Sequence, residues 1–367
     1  MKYFNEIFID KTKYGVKIQT GEYGKQGKHI IVDQGQNQIA GYTDREDGLF
    51  EEVPVIIFGD HTRVIKYIDQ PFFLGADGVK VLRSKDGNTD YKYLYYALKN
   101  VKIPNTGYNR HFKWLKESKI EYPDIKEQRK IVRILDKVSD IIQNRKRELS
   151  QLDDLVRARF VEMFGDMFLN TMGWQEESLE SLADIVSGIT KGRKIKEKKL
   201  IEVPYMAVSN VKNGYIDWTT VKTIEATEQE INQYRLLPDD VLMTEGGDPD
   251  KLGRGAIIRE PLENCIHQNH IFRVRLNESI VLPDFFEEYL QHQRAKRYFL
   301  GCAKQTTGIA SINMKQFSAL PVLIPPLKLQ QQFSDFVREL NKSKDSVQKA
   351  LDEAQLLFDS LMQQYFG

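Results

Sequence analysis

The sequence predicts an α+β protein written twice: a strand-rich globular region that runs into a long helix, then a second such region that runs into a second long helix. Three observations predict it. The stretch from Tyr122 to Asp166, YPDIKEQRKIVRILDKVSDIIQNRKRELSQLDDLVRARFVEMFGD, and the stretch from Ile324 to the end of the chain superpose without a gap at an offset of 202 residues. Both follow a 4-3 spacing of apolar residues. Ahead of each lie short β-branched runs separated by Gly and Asp. Self-similarity of this kind is read first, because missing it misassigns the fold.

At that offset Pro123 falls on Pro325, Lys126 on Lys328, Gln128 on Gln330, Leu149 on Leu351, Leu155 on Leu357 and Phe164 on Phe366. Apolar positions match in kind, Ile131 with Phe333 and Val138 with Leu340 among them. In the first copy Ile131, Leu135, Val138, Ile142, Leu149, Leu152 and Val156 keep the spacing, interrupted by Arg145 and Arg159. In the second, Phe333, Val337, Leu340, Val347, Leu351, Ala354, Phe358 and Leu361 keep it, interrupted by Lys344. This is the seam of a coiled coil, and the partner at hand for each helix is the other copy. Each begins just after a proline and contains neither Pro nor Gly, so each reads as one uninterrupted rod. At about 1.5 Å per residue, about 38 residues span about 57 Å.

The first globular region reads as strands at Ile30–Val32, Val55–Phe58, Val64–Ile68 and Val79–Leu82, then a helix from Asp90 to Lys99. The second reads as strands at Ile185-Val186, Tyr205–Val208, Val241–Met243, Ala256–Ile258 and Ile271–Leu276, then one helix from Pro283 to Leu300. The resulting division is 1–124, 125–165, 166–324 and 325–367.

Composition narrows the function. Apolar content of 41% with charged content of 29% fits a globular protein, and no apolar run approaches the roughly 20 residues of a membrane helix. Met1 to Glu6 carries no signal-peptide apolar core, and two cysteines build no disulfide framework, so a cytoplasmic setting is expected. The net charge of +1 argues against a simple polycationic nucleic-acid binder, though Lys191 to Lys199 is a local basic patch.

The sequence lacks the catalytic motifs that the rival classes require. An adenine methyltransferase needs an Asn/Asp-Pro-Pro-aromatic motif, and the nearest stretch, Asn105-Thr106-Gly107-Tyr108, lacks both prolines. The P-loop pattern is missing too, and Gly75-Ala76-Asp77-Gly78 reads as a turn. Cys265-x-His267-x2-His270 supplies three candidate metal ligands but no fourth nearby, and structural zinc wants four. His61 has no partnered nucleophile in view.

The motifs do resemble a known family. VPVIIFGDHTRVIKYIDQPFFLGADGVKVL (Val53 to Leu82) is similar to the target-recognition domain of type I restriction–modification specificity subunits. So are YPDIKEQRKIV opening the first long helix, and SGITKG (Ser187 to Gly192), PDDVLMTEGG (Pro238 to Gly247), NHIFRVRL (Asn269 to Leu276) and IPPLKLQQQF in the second half. The resemblance covers essentially the whole chain in the family's order. Copy one departs from the usual Pro-Pro-Leu with Pro123-Asp124-Ile125, copy two has Leu329-Gln330 for Glu-Gln, and Lys191-Gly192 stands where Thr-Pro is common.

The resemblance implies two target-recognition domains in a pseudo-two-fold repeat, joined by two long helices packed as an antiparallel coiled coil. It implies a subunit without catalysis of its own, each recognition domain reading one half of a bipartite site in double-stranded DNA. The implied partners are two methyltransferase subunits and restriction/translocase subunits, which would hold S-adenosylmethionine and ATP; this chain would hold no cofactor. A DNA adenine methyltransferase with degenerate motifs and a coiled-coil scaffold without a DNA role are the alternatives.

Base edges are read by paired hydrogen bonds from Arg, Lys, Asn or Gln, and phosphates are held by cations. On that chemistry the candidate DNA contacts are His61, Arg63, Lys66, Tyr108, Asn109 and Arg110 in the first region. In the second they are Lys191, Arg193, Lys194, Asn210, Arg254, Gln268 and Asn269.

Overall fold

A computed structural model describes residues 1–75, 77–107, 109–194, 199–247, 252–306 and 309–367. The chain divides into two units. Unit 1 is Met1–Arg147 together with Val347–Gly367, and unit 2 is Glu148–Ser346. Each is built from the same parts in the same order.

Unit 1 carries a four-stranded antiparallel sheet in the order Phe8–Asp10, Val79–Ser84, Val55–Gly59, Ile65–Ile68. Beside it is a three-stranded sheet, Gly41–Thr43, His29–Val32, Phe72–Leu74, the last two parallel. Lys2–Tyr3 pairs with Lys119–Ile120. Unit 2 repeats this with Ala183–Ser187, Ile271–Leu276, Val241–Thr244, Gly255–Ile257, with Lys222–Ala226, Ile201–Met206, Ile266–His267, and with Gln175–Ser178 against Pro321–Ile324.

The central strand Val55–Gly59 shows why the run is apolar throughout. Successive side chains of a strand point to opposite faces. Val55 and Ile57 pack between the two sheets with Val32, Phe72 and Leu74. Ile56 and Phe58 pack the other way, onto Tyr93, Leu94 and Ala97 of the helix Tyr91–Asn100. With both faces covered, the strand has no polar side and reads as VIIF. In unit 2 Leu242 faces Met206, Ile258 and Ile271, while Val241 and Met243 face Phe285, Tyr289 and Phe317.

The helix expected from Asp90 runs Tyr91–Asn100, with Asp90 capping it through Lys92 N and Tyr93 N. The helix expected from Pro283 to Leu300 is two helices, Pro283–Gln291 and Gln293–Cys302. The break is His292, whose backbone is extended and whose imidazole accepts from Arg294 N at 3.3 Å. A residue that caps a new helix cannot continue the old one.

The long helices are Ile125–Phe164 and Leu327–Phe366. Their seam residues Ile131, Leu135, Val138 and Ile142, and Phe333, Val337 and Leu340, are buried. In unit 1 the start of the first helix and the end of the second share a core, where Ile131 and Leu135 lie with Met362 and Phe358. In unit 2 the end of the first meets the start of the second: Phe160 and Phe164 each lie 5.5 Å from Phe333, ring centre to ring centre, and Lys344 pairs with Asp153 at 2.7 Å. Start against end in both units is antiparallel packing.

Gln128 and Gln330, identical at the offset of 202, explain why the repeat keeps glutamine. Both are buried. Gln128 accepts from Asp90 N at 2.9 Å and Thr89 Oγ1 at 3.1 Å and donates to Pro123 O at 2.9 Å. Gln330 accepts from Leu282 N at 2.9 Å and donates to Ile280 O and Pro325 O at 2.9 and 2.8 Å. Each amide joins the first turn of its long helix to the start of the helix packed on its sheet. Only a side chain that both donates and accepts can do this.

Candidate nucleic-acid interface

In unit 1 the candidates gather at one hairpin tip. Residues 59–64 join Val55–Gly59 to Ile65–Ile68, and Arg63 takes a left-handed conformation at φ 62°. The turn is closed by Arg63 N donating to Gly59 O at 2.8 Å and Gly59 N to Val64 O at 2.8 Å. A Cβ on Gly59 would stand 2.2 Å from Thr62 Oγ1, so glycine is needed there.

Asp60, buried behind the tip, holds it in place. Its carbonyl accepts His111 N at 2.8 Å and faces His111 Nδ1 at 3.0 Å, and its carboxylate accepts Phe112 N at 2.8 Å. His61 N donates to Gln34 Oε1 at 3.2 Å and Thr62 Oγ1 to Gln34 O at 2.6 Å. His111 and Phe112 are thereby drawn against the tip. His61 and Arg63 are half-buried there, and Asn109 and Arg110 are exposed. Tyr108 lies outside the described residues. Lys66 is buried instead, donating to Asn37 O at 2.6 Å and Asp33 O at 2.8 Å, with burial lowering its affinity for a proton. It fastens the 33–37 loop behind the tip.

Unit 2 builds the corresponding place differently. Its hairpin connection runs from residue 245 to 254. Gly246–Gly247 pairs with Ile309–Ser311, which pairs with Lys304–Thr306. Ile312 N donates to Glu245 O at 2.9 Å, the counterpart of His111 N on Asp60 O. Arg254 is half-buried at this hairpin, its backbone O accepting Thr244 N at 3.0 Å. Gln268 and Asn269, also half-buried, follow the strand Ile266–His267; Gln268 Oε1 accepts Val208 N at 3.3 Å, and Asn269 O accepts Ser187 Oγ at 2.6 Å.

Asn210 is fully buried, donating to Asp217 O at 2.9 Å and Thr220 Oγ1 at 3.1 Å, and so shapes its loop from within. Arg193 makes two 2.6 Å bonds to the Glu230 carboxylate. Lys191 and Lys194 are exposed. Of the basic patch, 195–198 lies outside the described residues, as does Ala76 of the Gly75–Gly78 turn.

The Cys-His-His stretch does not converge. Cys265 and His267 are buried, with burial pushing the thiol up to about 12 and the imidazole down to about 3. His270 is exposed and bonds Glu245 Oε2 at 2.5 Å through Nδ1. Among the described residues no cluster of three or more His, Cys, Asp or Glu side chains is arranged to hold a metal ion. No described helix is long and apolar enough to cross a membrane.

The two units share one sheet topology, and in each the end of a hairpin strand is bonded to a segment ahead of the long helix, Asp60 to His111 in one and Glu245 to Ile312 in the other. The chain belongs to the type I restriction–modification DNA specificity family: the family's "Type I restriction modification DNA specificity domain" matches residues 4–153 and 172–355. The EcoR124I/EcoR124II specificity subunit of Escherichia coli is 24% identical over 365 residues, covering 93% of this chain and 85% of that one. The EcoKI specificity subunit of Escherichia coli K12 is 26% identical over 162 residues, 44% of this chain and 35% of that one. The match thus spans about a third of the length of the EcoKI relative. The fold is shared with the crystal structure of the type I restriction–modification S subunit from M. genitalium, with a TM-score of 0.59 and 18% identity over 100% of this chain and 95% of that one.

Proposed function

We propose that the chain is the sequence-recognition subunit of a type I restriction–modification complex acting in the cytoplasm. Each unit reads one half of a bipartite site in double-stranded DNA. Two methyltransferase subunits and restriction/translocase subunits act where it is bound, and S-adenosylmethionine and ATP are held by them. The chain itself contributes recognition and no catalysis. The observation that carries this reading is the repetition of one sheet topology with a different hairpin tip in each unit, in a chain whose residues 4–153 and 172–355 match the family.

The test is co-expression with a cognate methyltransferase, followed by mapping of methylated positions. Exchanging residues 166–324 for the matching region of a relative is expected to change one half of the methylated sequence and leave the other untouched. A change in both halves overturns independent reading. Methyl transfer by the isolated chain would favour the enzyme alternative.

A further inference from the structure

The two units differ at one place that the repeat makes measurable. Asp10 pairs with Leu82, and Ile185 with Val274, at the edge of the two four-stranded sheets. Ile18 N donates to Leu74 O at 2.9 Å, and Ile189 N to His267 O at 2.8 Å, so the two isoleucines are also counterparts. Both are buried. Between these fixed points unit 2 has only residues 186–188, and Gly188 lies so close that a Cβ would stand 2.0 Å from His267 O. Unit 1 has residues 11–17, Lys-Thr-Lys-Tyr-Gly-Val-Lys.

The longer connection walls a groove of about 630 Å³ lined by Asp10, Thr12, Lys13, Gly15, Lys17 and Lys80. Lys80 is the second sign that unit 1 departs here. It sits opposite Phe58, where unit 2 has Phe272 opposite Met243. Phe272 stacks on Phe317 in the core at 5.1 Å, whereas the Lys80 ammonium stands 5.2 Å from the Phe112 ring centre at the groove. Lys11 and Lys13 both lie 4.8 Å from the ring centre of Tyr14, which is exposed. A chain of polar contacts links the groove to the hairpin tip. Lys17 pairs with Asp77 and, with a smaller contribution from Arg110, holds its carboxyl below the usual range; Asp77 O accepts from Gln34, and Gln34 accepts His61 N.

We propose that this lysine groove holds backbone phosphates of the DNA read by unit 1, an assignment that rests on the recognition role proposed above. Lys11, Lys17 and Lys80 face Glu52, Asp77 and Asp10, and Lys11 and Lys80 stand 3.4 and 3.8 Å from their carboxylates. An ion pair as exposed as Lys17–Asp77 holds little energy, so that ammonium group can turn to phosphate at small cost. Ammonium groups are point charges that fix register without reading sequence. Unit 2 places its exposed cations, Lys191 and Lys194, just after Ile189, whereas unit 1 places Lys13 and Lys17 just before Ile18. Both units thus charge the same connection from opposite sides of one anchor.

The test uses the full chain in complex with its methyltransferase and a fluorescent duplex carrying the methylated site, titrated at several salt concentrations. In the Lys13→Gln/Lys17→Gln variant the slope of log Kobs against log salt should become shallower by about 2, at about 0.9 for each phosphate left without its lysine. The methylated sequence and the thermal midpoint should stay as they are, because both lysines are exposed. The single Lys13→Gln change, which breaks no ion pair among the described residues, should give about half that effect. An unchanged slope in a variant that still binds overturns the groove assignment alone. Loss of methyltransferase association with an unchanged slope overturns it in favour of an acidic protein partner. If the parent complex fails to bind the duplex, the recognition role falls, and the groove assignment with it.

Discussion

Unit 1 and unit 2 share their strand order, their buried glutamine and their antiparallel helix ends, yet they differ wherever the chain leaves the sheets. Unit 1 turns tightly at 59–64 and bulges at 11–17. Unit 2 closes tightly at 186–188 and expands its hairpin into a three-stranded addition. The shared parts are buried on two sides, where one wrong side chain costs the packing of both. The differing parts hang from them by a few backbone hydrogen bonds, and length can change there at little energetic cost. Framework and connecting loops are thus separable in this protein, and the separation can be tested from the strongest effect to the weakest.

The largest effect should come from the shared glutamines. Gln128→Leu strands the groups at Thr89, Asp90 and Pro123, and Gln330→Leu strands those at Leu282, Ile280 and Pro325. Each should cost about 2–4 kcal/mol in urea unfolding, and the two should cost alike. A large cost for one and none for the other would break the equivalence of the units.

Next comes a pH dependence that belongs to unit 2. Burial pushes the Glu287 carboxyl up to about 7, against the hydrogen bond it accepts from Ile257 N. A raised carboxyl pKa means the folded state binds the proton more tightly. Its contribution to stability is therefore present at pH 4 and is lost as pH rises through 7, by up to about 3 kcal/mol. Glu287→Gln should flatten that part of the stability curve between pH 5 and 8, measured by thermal melting. An identical slope in the variant would assign the dependence elsewhere.

Asp60→Ala removes the carboxylate that caps Phe112–Lys116, at about 1–2 kcal/mol, and should loosen the first half-site in methylation mapping while sparing the second. Glu245→Ala should disturb its own tip less, because it leaves in place the backbone carbonyl that accepts Ile312 N and removes only the bond to the exposed His270. The smallest effect is expected at the helices, where Lys344→Ala removes a surface pair with Asp153 and should cost under about 1 kcal/mol.

The framework is legible in sequence because it obeys periodicity. The 4-3 seams, the buried VIIF strand and the paired glutamines all announce burial by spacing or by repetition. The candidate contacts are legible only in part. Lys66 and Asn210 have the side chains that touch DNA, and also those that fasten loops from within; composition cannot separate the two, and burial does. His292 escapes notice as a helix break because a histidine that caps looks like one that continues. Lys13, Lys17 and Lys80 escape notice because Lys80 lies far along the chain from the other two, and the groove exists only once residues 11–17 are folded against the strand Val79–Ser84.

The helix ends carry one more consequence, for the order in which the molecule is made. Proteins are generally assumed to complete their domains from the N-terminus as synthesis proceeds. Here the core around Ile131, Leu135, Tyr93 and Tyr96 includes Phe358, Leu361, Met362 and Phe366. A ribosome that has released residues 1–147 has therefore released a core with a missing wall. Unit 2, contiguous from Glu148 to Ser346, has all its residues first. The half of the protein begun first is the half finished last, and a nascent chain halted after Ser346 would leave apolar residues of its oldest part waiting for their partners.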